Sequence, residues 1–190
     1  MKIALVTARS LANQWDELHH SVSLNLVSYV KWCGFEPLVL PSDSDTVPET
    51  LINQLKPELL VLSGGESLGE NLKRDQFEKS LLDYSLSFSL PVLGICRGMQ
   101  VMANYFGAVP EKIGGHAGAR HEITGIPQAT VNSFHNFGFW EVPPEFDVLA
   151  KASDDSIEMI HHTTLPWLGV MWHPEREPVA SWSNLIGMLR

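Results

Sequence analysis

A chain of 190 residues with 44% hydrophobic and 18% charged side chains suits one packed domain and is short for two. Its formal net charge of −9 leaves no basic surplus to neutralise phosphates, which disfavours nucleic acid or an anionic membrane as the main partner. No run approaches the roughly 18 apolar residues of a membrane helix. K-I-A-L-V-T-A (residues 2–8) is a bounded apolar run read as a first strand rather than a leader, because Arg9, Asp16 and Glu17 soon follow it. Residues 21–33 carry Val22, Leu26, Val27 and Val30 near helical spacing, with Gly34 as a C-cap. A strand over 36–40, a weak helix over 48–55 and a buried strand over 59–62 come next. Residues 74–88 set Phe77, Leu81, Leu82 and Leu86 on one side of a helix, 91–95 forms a strand and 98–106 a helix. Beyond them, short strands are expected near Ile123 and over 130–134, 148–150, 156–160 and 167–171, then a helix over 179–189. Strands separated by helices of this length pair in parallel through right-handed crossovers. The expectation is one α/β domain over 1–190, an open, mostly parallel sheet with helices on both faces and a few late antiparallel strands.

Ligands bind beyond the carboxyl ends of the strands in such sheets, and four segments should converge there: 7–10, 63–67, 94–98 and 172–175. Cys96, in P-V-L-G-I-C-R-G-M-Q (residues 91–100), sits where a strand turns abruptly into a helix between Gly94 and Gly98. This G-x-C-x-G spacing is the thiol counterpart of a nucleophile elbow, and a helix N-terminus behind it favours the thiolate. An inert core thiol is an equal reading of that stretch taken alone. In W-H-P-E-R (residues 172–176), His173 can take a thiol proton and return it to a leaving amine, while Glu175 orients the ring. The backbone N–H groups of Gly65, in V-L-S-G-G-E-S, and of Arg97, directly after the cysteine, can receive an oxyanion. Cys33 and Cys96 make no disulfide framework, which fits a reducing cytoplasm.

Together, L-S-G-G-E-S, P-V-L-G-I-C-R-G-M-Q, V-N-S-F-H-N and G-V-M-W-H-P-E-R resemble the class I glutamine amidotransferase superfamily, in its γ-glutamyl hydrolase-like branch. The resemblance implies a flavodoxin-like fold and a triad of Cys96, His173 and Glu175, with Gly65 and Arg97 as the oxyanion positions. It implies contact of Gln100 with the γ-glutamyl group. The loop bearing Asn132, Ser133, His135, Asn136 and Phe137 would receive its α-amino and α-carboxylate ends. The implied substrate is a small γ-glutamyl amide, cleaved through a γ-glutamyl thioester without metal or organic cofactor. G-H-A-G-A-R-H (residues 115–121) and I-H-H-T (160–163) hold histidines without a paired zinc-ligand spacing.

The head of the chain, R-D-Q-F-E (residues 74–78) and G-H-A-G-A-R-H are similar to hydrolases of bacterial capsule and surface-sugar gene sets. That likeness favours a nucleotide-linked leaving group, with Arg9, Arg120 and His121 as candidates to meet its phosphate; ordinary surface ion pairing of these three is an equal alternative. Residues 8–20 and the loop after Gly114 are the candidate lids. Three other roles stay open: hydrolase of other γ-glutamyl amines, glutaminase working with a separate synthetase partner, and non-catalytic binding or thiol-sensor module. A homodimer stays open as well.

Overall fold

The computed structural model describes residues 1–42, 49–178 and 181–189. The first half comprises β1 (Ile3–Thr7), a hairpin of β2 (Arg9–Ala12) and β3 (Leu18–Ser21), α1 (Leu24–Trp32), β4 (Glu36–Leu40), α2 (Glu49–Leu55), β5 (Leu59–Leu62), α3 (Leu72–Phe88), β6 (Val92–Ile95) and α4 (Arg97–Tyr105). The second half holds β7 (Glu111–Lys112), β8 (Ala117–Gly125), β9 (Ala129–Phe134), β10 (Phe137–Gly138), β11 (Phe146–Ala152), β12 (Ile157–His162) and β13 (Trp167–Val170), followed by 3₁₀ turns at Pro174–Arg176 and Ser183–Leu189.

The central sheet runs β4-β1-β5-β6-β13-β12-β11-β8-β9. The first five strands pair in parallel in a flavodoxin-like order, and the rest extend the sheet antiparallel. Strand side chains alternate between two cores. Ala4, Val6, Leu59, Val61, Leu93 and Ile95 pack with Leu26, Tyr29 and Val30 of α1. Leu5, Leu60, Leu62 and Val92 face Phe77, Leu81 and Leu82 of α3 and Met99 and Met102 of α4. Both sheet faces are therefore buried, which is why these strands read as continuous apolar runs.

The expected elements are present, with shifts at their ends. α1 starts at Leu24 because Ser23 caps it, its side chain accepting from the Asn25 N–H. Asn71 caps α3 in the same way through the Arg74 N–H, so that helix begins two residues before its expected start. Pro48 and Val179, the first residues of two expected helices, lie outside the described residues.

One feature differs from expectation. The final segment is 3₁₀ over Ser183–Leu189: Ser183, Asn184 and Gly187 are weak helix formers, and packing Leu185 and Leu189 on the sheet dominates. The expected lid at 8–20 is an ordered hairpin whose turn is tied by Asn13, with Oδ1 accepting from Trp15 and Glu17 N–H. No described helix is long and apolar enough to cross a membrane.

Candidate active site

The ends of β1, β5, β6 and β13 meet at one edge of the sheet, as the convergence of residues 7–10, 63–67, 94–98 and 172–175 requires. Cys96 leaves β6 with φ +53° and ψ −107°, an unfavourable conformation for a residue with a side chain. Its N–H donates to the Val170 carbonyl at 2.7 Å, and its carbonyl accepts from the Gln100 N–H at 3.2 Å. The turn needs glycine on both sides. A Cβ at Gly94 would strike Met102 Sδ and the Gly98 backbone, and one at Gly98 would strike the Leu62 carbonyl. Strand, elbow and helix thus pass too close for side chains, and the one side chain left at the apex is the thiol, 6% exposed.

His173 follows β13. Pro174 restricts the residue before it to extended backbone, here φ −105° and ψ 91°, which starts the 3₁₀ turn carrying Glu175. Glu175 Oε1 lies 2.7 Å from His173 Nδ1, and both side chains are buried. Burial disfavours the imidazolium, but the Cys96 sulfur beside the ring and the Glu175 carboxylate outweigh it and push the His173 pKa up to about 9. Gly64 packs against the opposite side of the ring, since a Cβ there would sit 2.7 Å from His173 Cε1.

Beneath both candidate oxyanion donors lies a buried ionic network. Arg74 Nε donates to Glu78 Oε1 at 3.0 Å, and its Nη2 donates to the Ser63 carbonyl at 3.0 Å and the Gly64 carbonyl at 3.3 Å. Arg97 pairs with Glu78 and Asp75, and Thr7 donates its hydroxyl to Glu78 at 2.7 Å. Burial would push the Glu78 carboxyl up, but the two guanidinium groups hold it below the usual range. One carboxylate thus links the Gly64–Gly65 loop to the residue after Cys96. Sequence reasoning noted R-D-Q-F-E only as a likeness; the i, i+4 spacing of Arg74 and Glu78 was the available signal.

The remaining candidate residues fall into separate groups. Gln100 is buried and donates to the Phe137 carbonyl at 3.0 Å, and both line a cavity of about 330 Å³ with Ser67, Gly69, Asp75 and Lys79. Asn132 turns toward His173: its Oδ1 accepts from the His173 N–H at 3.0 Å and its Nδ2 donates to the His173 carbonyl at 2.8 Å. Glu177, which sequence reasoning missed, accepts from Asn132 Nδ2 at 2.8 Å and from Arg120 Nη1 at 2.8 Å. Arg120 is therefore in an ion pair, the alternative anticipated for it. Ser133 is buried and Asn136 exposed. Arg9 is exposed beside Gly65 and lines a small cavity of about 100 Å³ with His173, Gly64 and Arg176.

His121 faces the buried Glu158 instead, together with His116 and His135. The spacing of these histidines carried no metal signal, yet the fold gathers them. His162 does not join them; it packs among Phe106, Phe146 and Trp167.

Residues 16–186 match the family model for glutamine amidotransferase class I. A γ-glutamyl-CDP-amidate hydrolase of Campylobacter jejuni is 36% identical over 125 residues, 62% of each chain, so the match spans less than two thirds of that relative. The glutamine-hydrolysing GMP synthase subunit of Methanothrix thermoacetophila is 34% identical over 67% of this chain and 72% of its own. A Thermoplasma acidophilum structure, provisionally assigned to the same kind of GMP synthase subunit, superposes with a TM-score of 0.76 at 22% identity. It covers all of this chain and 94% of that one, which supports the fold. With the family match spanning nearly the whole sheet, and the elbow and H-P-E segment both within it, the chain belongs to the class I glutamine amidotransferase family.

Proposed function

We propose that the protein is a cysteine-dependent hydrolase of γ-glutamyl amides, with Cys96 as nucleophile, His173 as general acid and base, and Glu175 as the group that orients the ring. The observation that carries this is the 2.7 Å His173–Glu175 contact beside a cysteine held at positive φ on a strand-to-helix elbow. Cys96 Sγ attacks the γ-carbonyl carbon, and the carbonyl electrons move to an oxyanion held by the N–H groups of Gly65 and Arg97. Collapse breaks the C–N bond, His173 protonates the departing amine, and a γ-glutamyl thioester remains. Water then loses a proton to His173 and attacks the thioester carbonyl, and expulsion of the Cys96 thiolate frees glutamate.

The favoured substrate is γ-glutamyl-CDP-amidate or a related nucleotide-linked γ-glutamyl compound, placing the reaction in phosphoramidate decoration of bacterial surface polysaccharide. The identity to the Campylobacter hydrolase supports this choice, as do the guanidinium groups of Arg9 and Arg176 on the cavity beside His173. The cavity with Gln100 and Phe137 would take the glutamyl end. A second reading, a glutaminase that supplies ammonia to a separate synthetase partner, is favoured by the longer match to the Methanothrix protein.

Glutamate release from γ-glutamyl-CDP-amidate, γ-glutamyl-GABA and glutamine, measured in parallel, separates these readings. The nucleotide-linked compound is expected to have the highest kcat/KM, whereas a clear preference for glutamine supports the glutaminase. Cys96→Ala is expected to abolish turnover with every substrate and labelling by a glutamine-analogue electrophile. Full turnover in that variant would overturn the mechanism.

A further inference from the structure

Away from the Cys96 elbow, the loop before β8 (His116), β8 itself (His121) and the loop after β9 (His135) bring three imidazoles onto one carboxylate oxygen of β12. Glu158 is wholly buried between Ile157 and Met159 on β12. His116 Nδ1, His121 Nε2 and His135 Nε2 each lie 3.4 Å from Glu158 Oε1. None of these three nitrogens, nor either Glu158 oxygen, makes a well-directed hydrogen bond, although all are buried; the 3.4 Å approaches are long charge contacts. Buried polar atoms need partners, and three imidazole nitrogens gathered on one buried carboxylate oxygen form a donor set suited to a cation.

The outer ring atoms set which way the inward nitrogens point. His135 Nδ1 lies 3.0 Å from the Phe137 carbonyl, and His116 Nε2 lies 3.1 Å from Asp154 Oδ2. Carbonyl and carboxylate oxygens only accept, so the ring protons sit on these outer nitrogens. In the neutral rings, the inward nitrogens then aim lone pairs at a carboxylate oxygen, and a cation must separate them. Protons on the inward nitrogens would supply one, but a charged N–H···O⁻ bond closes to about 2.7–2.9 Å. Three contacts of 3.4 Å to a single oxygen are long for that. They match instead the edge of a tetrahedron around a metal about 2.0–2.1 Å from each ligand, which is roughly 3.3–3.4 Å.

We propose that His116 Nδ1, His121 Nε2, His135 Nε2 and Glu158 Oε1 form a tetrahedral zinc(II) site. The ligand atoms of His116, His135 and Glu158 lie within 4.8 Å of one another, wider than a tetrahedral edge, so metal uptake would draw these rings inward, and His121 joins the set through its 3.4 Å approach to Glu158 Oε1. Asp154 and the Phe137 carbonyl are the outer groups that fix ring orientation in zinc sites. Asp154 is itself held by the Ser156 hydroxyl at 2.7 Å. All four positions are protein ligands, so the role is structural. The ion pins the loop with Asn132, His135 and Phe137 from behind. The Phe137 carbonyl, which accepts from His135, also accepts from Gln100 at 3.0 Å. Any effect on turnover rests on the γ-glutamyl reading above; the metal site does not.

The test uses full-length protein stripped with a chelator and then titrated with Zn²⁺. One equivalent is expected to bind with sub-micromolar affinity, by elemental analysis and native mass spectrometry, and to raise Tm. Cobalt(II) in its place should give the intense visible bands of tetrahedral coordination. Glu158→Gln and, at the more open edge of the cluster, His121→Gln should each weaken binding by at least about 100-fold, with folding checked by circular dichroism. His19→Gln, on exposed β3, should keep it. Absence of stoichiometric uptake by folded wild-type protein overturns the proposal, as does unchanged binding in folded His121→Gln. These readouts need no substrate, so their failure leaves the hydrolase reading standing, and an inactive but zinc-loaded protein separates the two in the other direction.

Discussion

His173 shows how one side chain's surroundings set its chemistry. Its raised pKa, about 9 against an ordinary 6.5, depends on the Cys96 sulfur and on Glu175. In the mechanism proposed above, acylation would turn the sulfur into a neutral thioester, removing one of those supports and leaving the ring as the base for the second half-reaction. Glu175→Gln should therefore move the His173 titration down toward its ordinary value, read by NMR, and lower kcat at neutral pH. Gly64 supplies a sharper steric test. In Gly64→Ala the new methyl meets His173 Cε1 at 2.7 Å, and a ring displaced by even an ångström should lower kcat by about 100-fold with the fold retained. Asn132 distinguishes two roles. It was expected to meet the substrate, yet both ends of its amide are engaged by the His173 backbone. Asn132→Ala should lower kcat with little change in KM if it positions His173, whereas a rise in KM alone would assign it to the substrate.

Among the elements, α3 does more than cover the sheet. Its first two turns carry Arg74, Asp75 and Glu78, which tie the loop after β5 to the start of α4. The helix is capped by Asn71, and this register turns all three side chains inward. Glu78→Gln leaves two buried guanidinium groups without their shared carboxylate. A loss of about 3–5 kcal/mol in urea unfolding is expected, with most of the remaining activity defect in kcat. The hairpin of β2 and β3 has the opposite character. Its residues are largely exposed, and Trp15 at its turn is 76% exposed, so substitutions there should cost the core little.

Across the molecule, the long sheet joins the candidate active site to the segment that braces it. Its parallel half ends in the elbow and the H-P-E turn, and its antiparallel half returns β9 so that Asn132 and Glu177 brace His173. Two buried ionisable groups packed beside it carry an expected pH dependence of stability. His173 is raised on folding, so its contribution is complete below about pH 6.5 and lost as pH climbs through about 9. Glu78 is depressed, so its contribution is present above the ordinary carboxylate range and lost as pH falls through its lowered value. The urea midpoint should therefore decline between pH 6.5 and 9, and Glu175→Gln should flatten that limb; an unchanged limb in the variant would show that His173 does not cause it.

The architecture and the reactive apex were legible along the chain. Apolar runs buried on both faces, helices of matching length between them, and glycines two residues either side of Cys96 are local patterns, and local geometry follows from them. Pro174 likewise foretold the extended backbone of His173. Partnerships between segments far apart in the chain emerged only in three dimensions. Arg74, Glu78 and Arg97 meet because α3 and α4 lie side by side on one sheet face, and Asn132, on the outermost strand β9, bonds the His173 backbone although β9 and β13 are not neighbours in the sheet. His116, His121, His135 and Glu158 converge from the loop before β8, from β8, from the loop after β9 and from β12, with no common spacing. Such contacts depend on how the sheet brings its ligand-bearing ends together, and no periodicity along the chain encodes that distance.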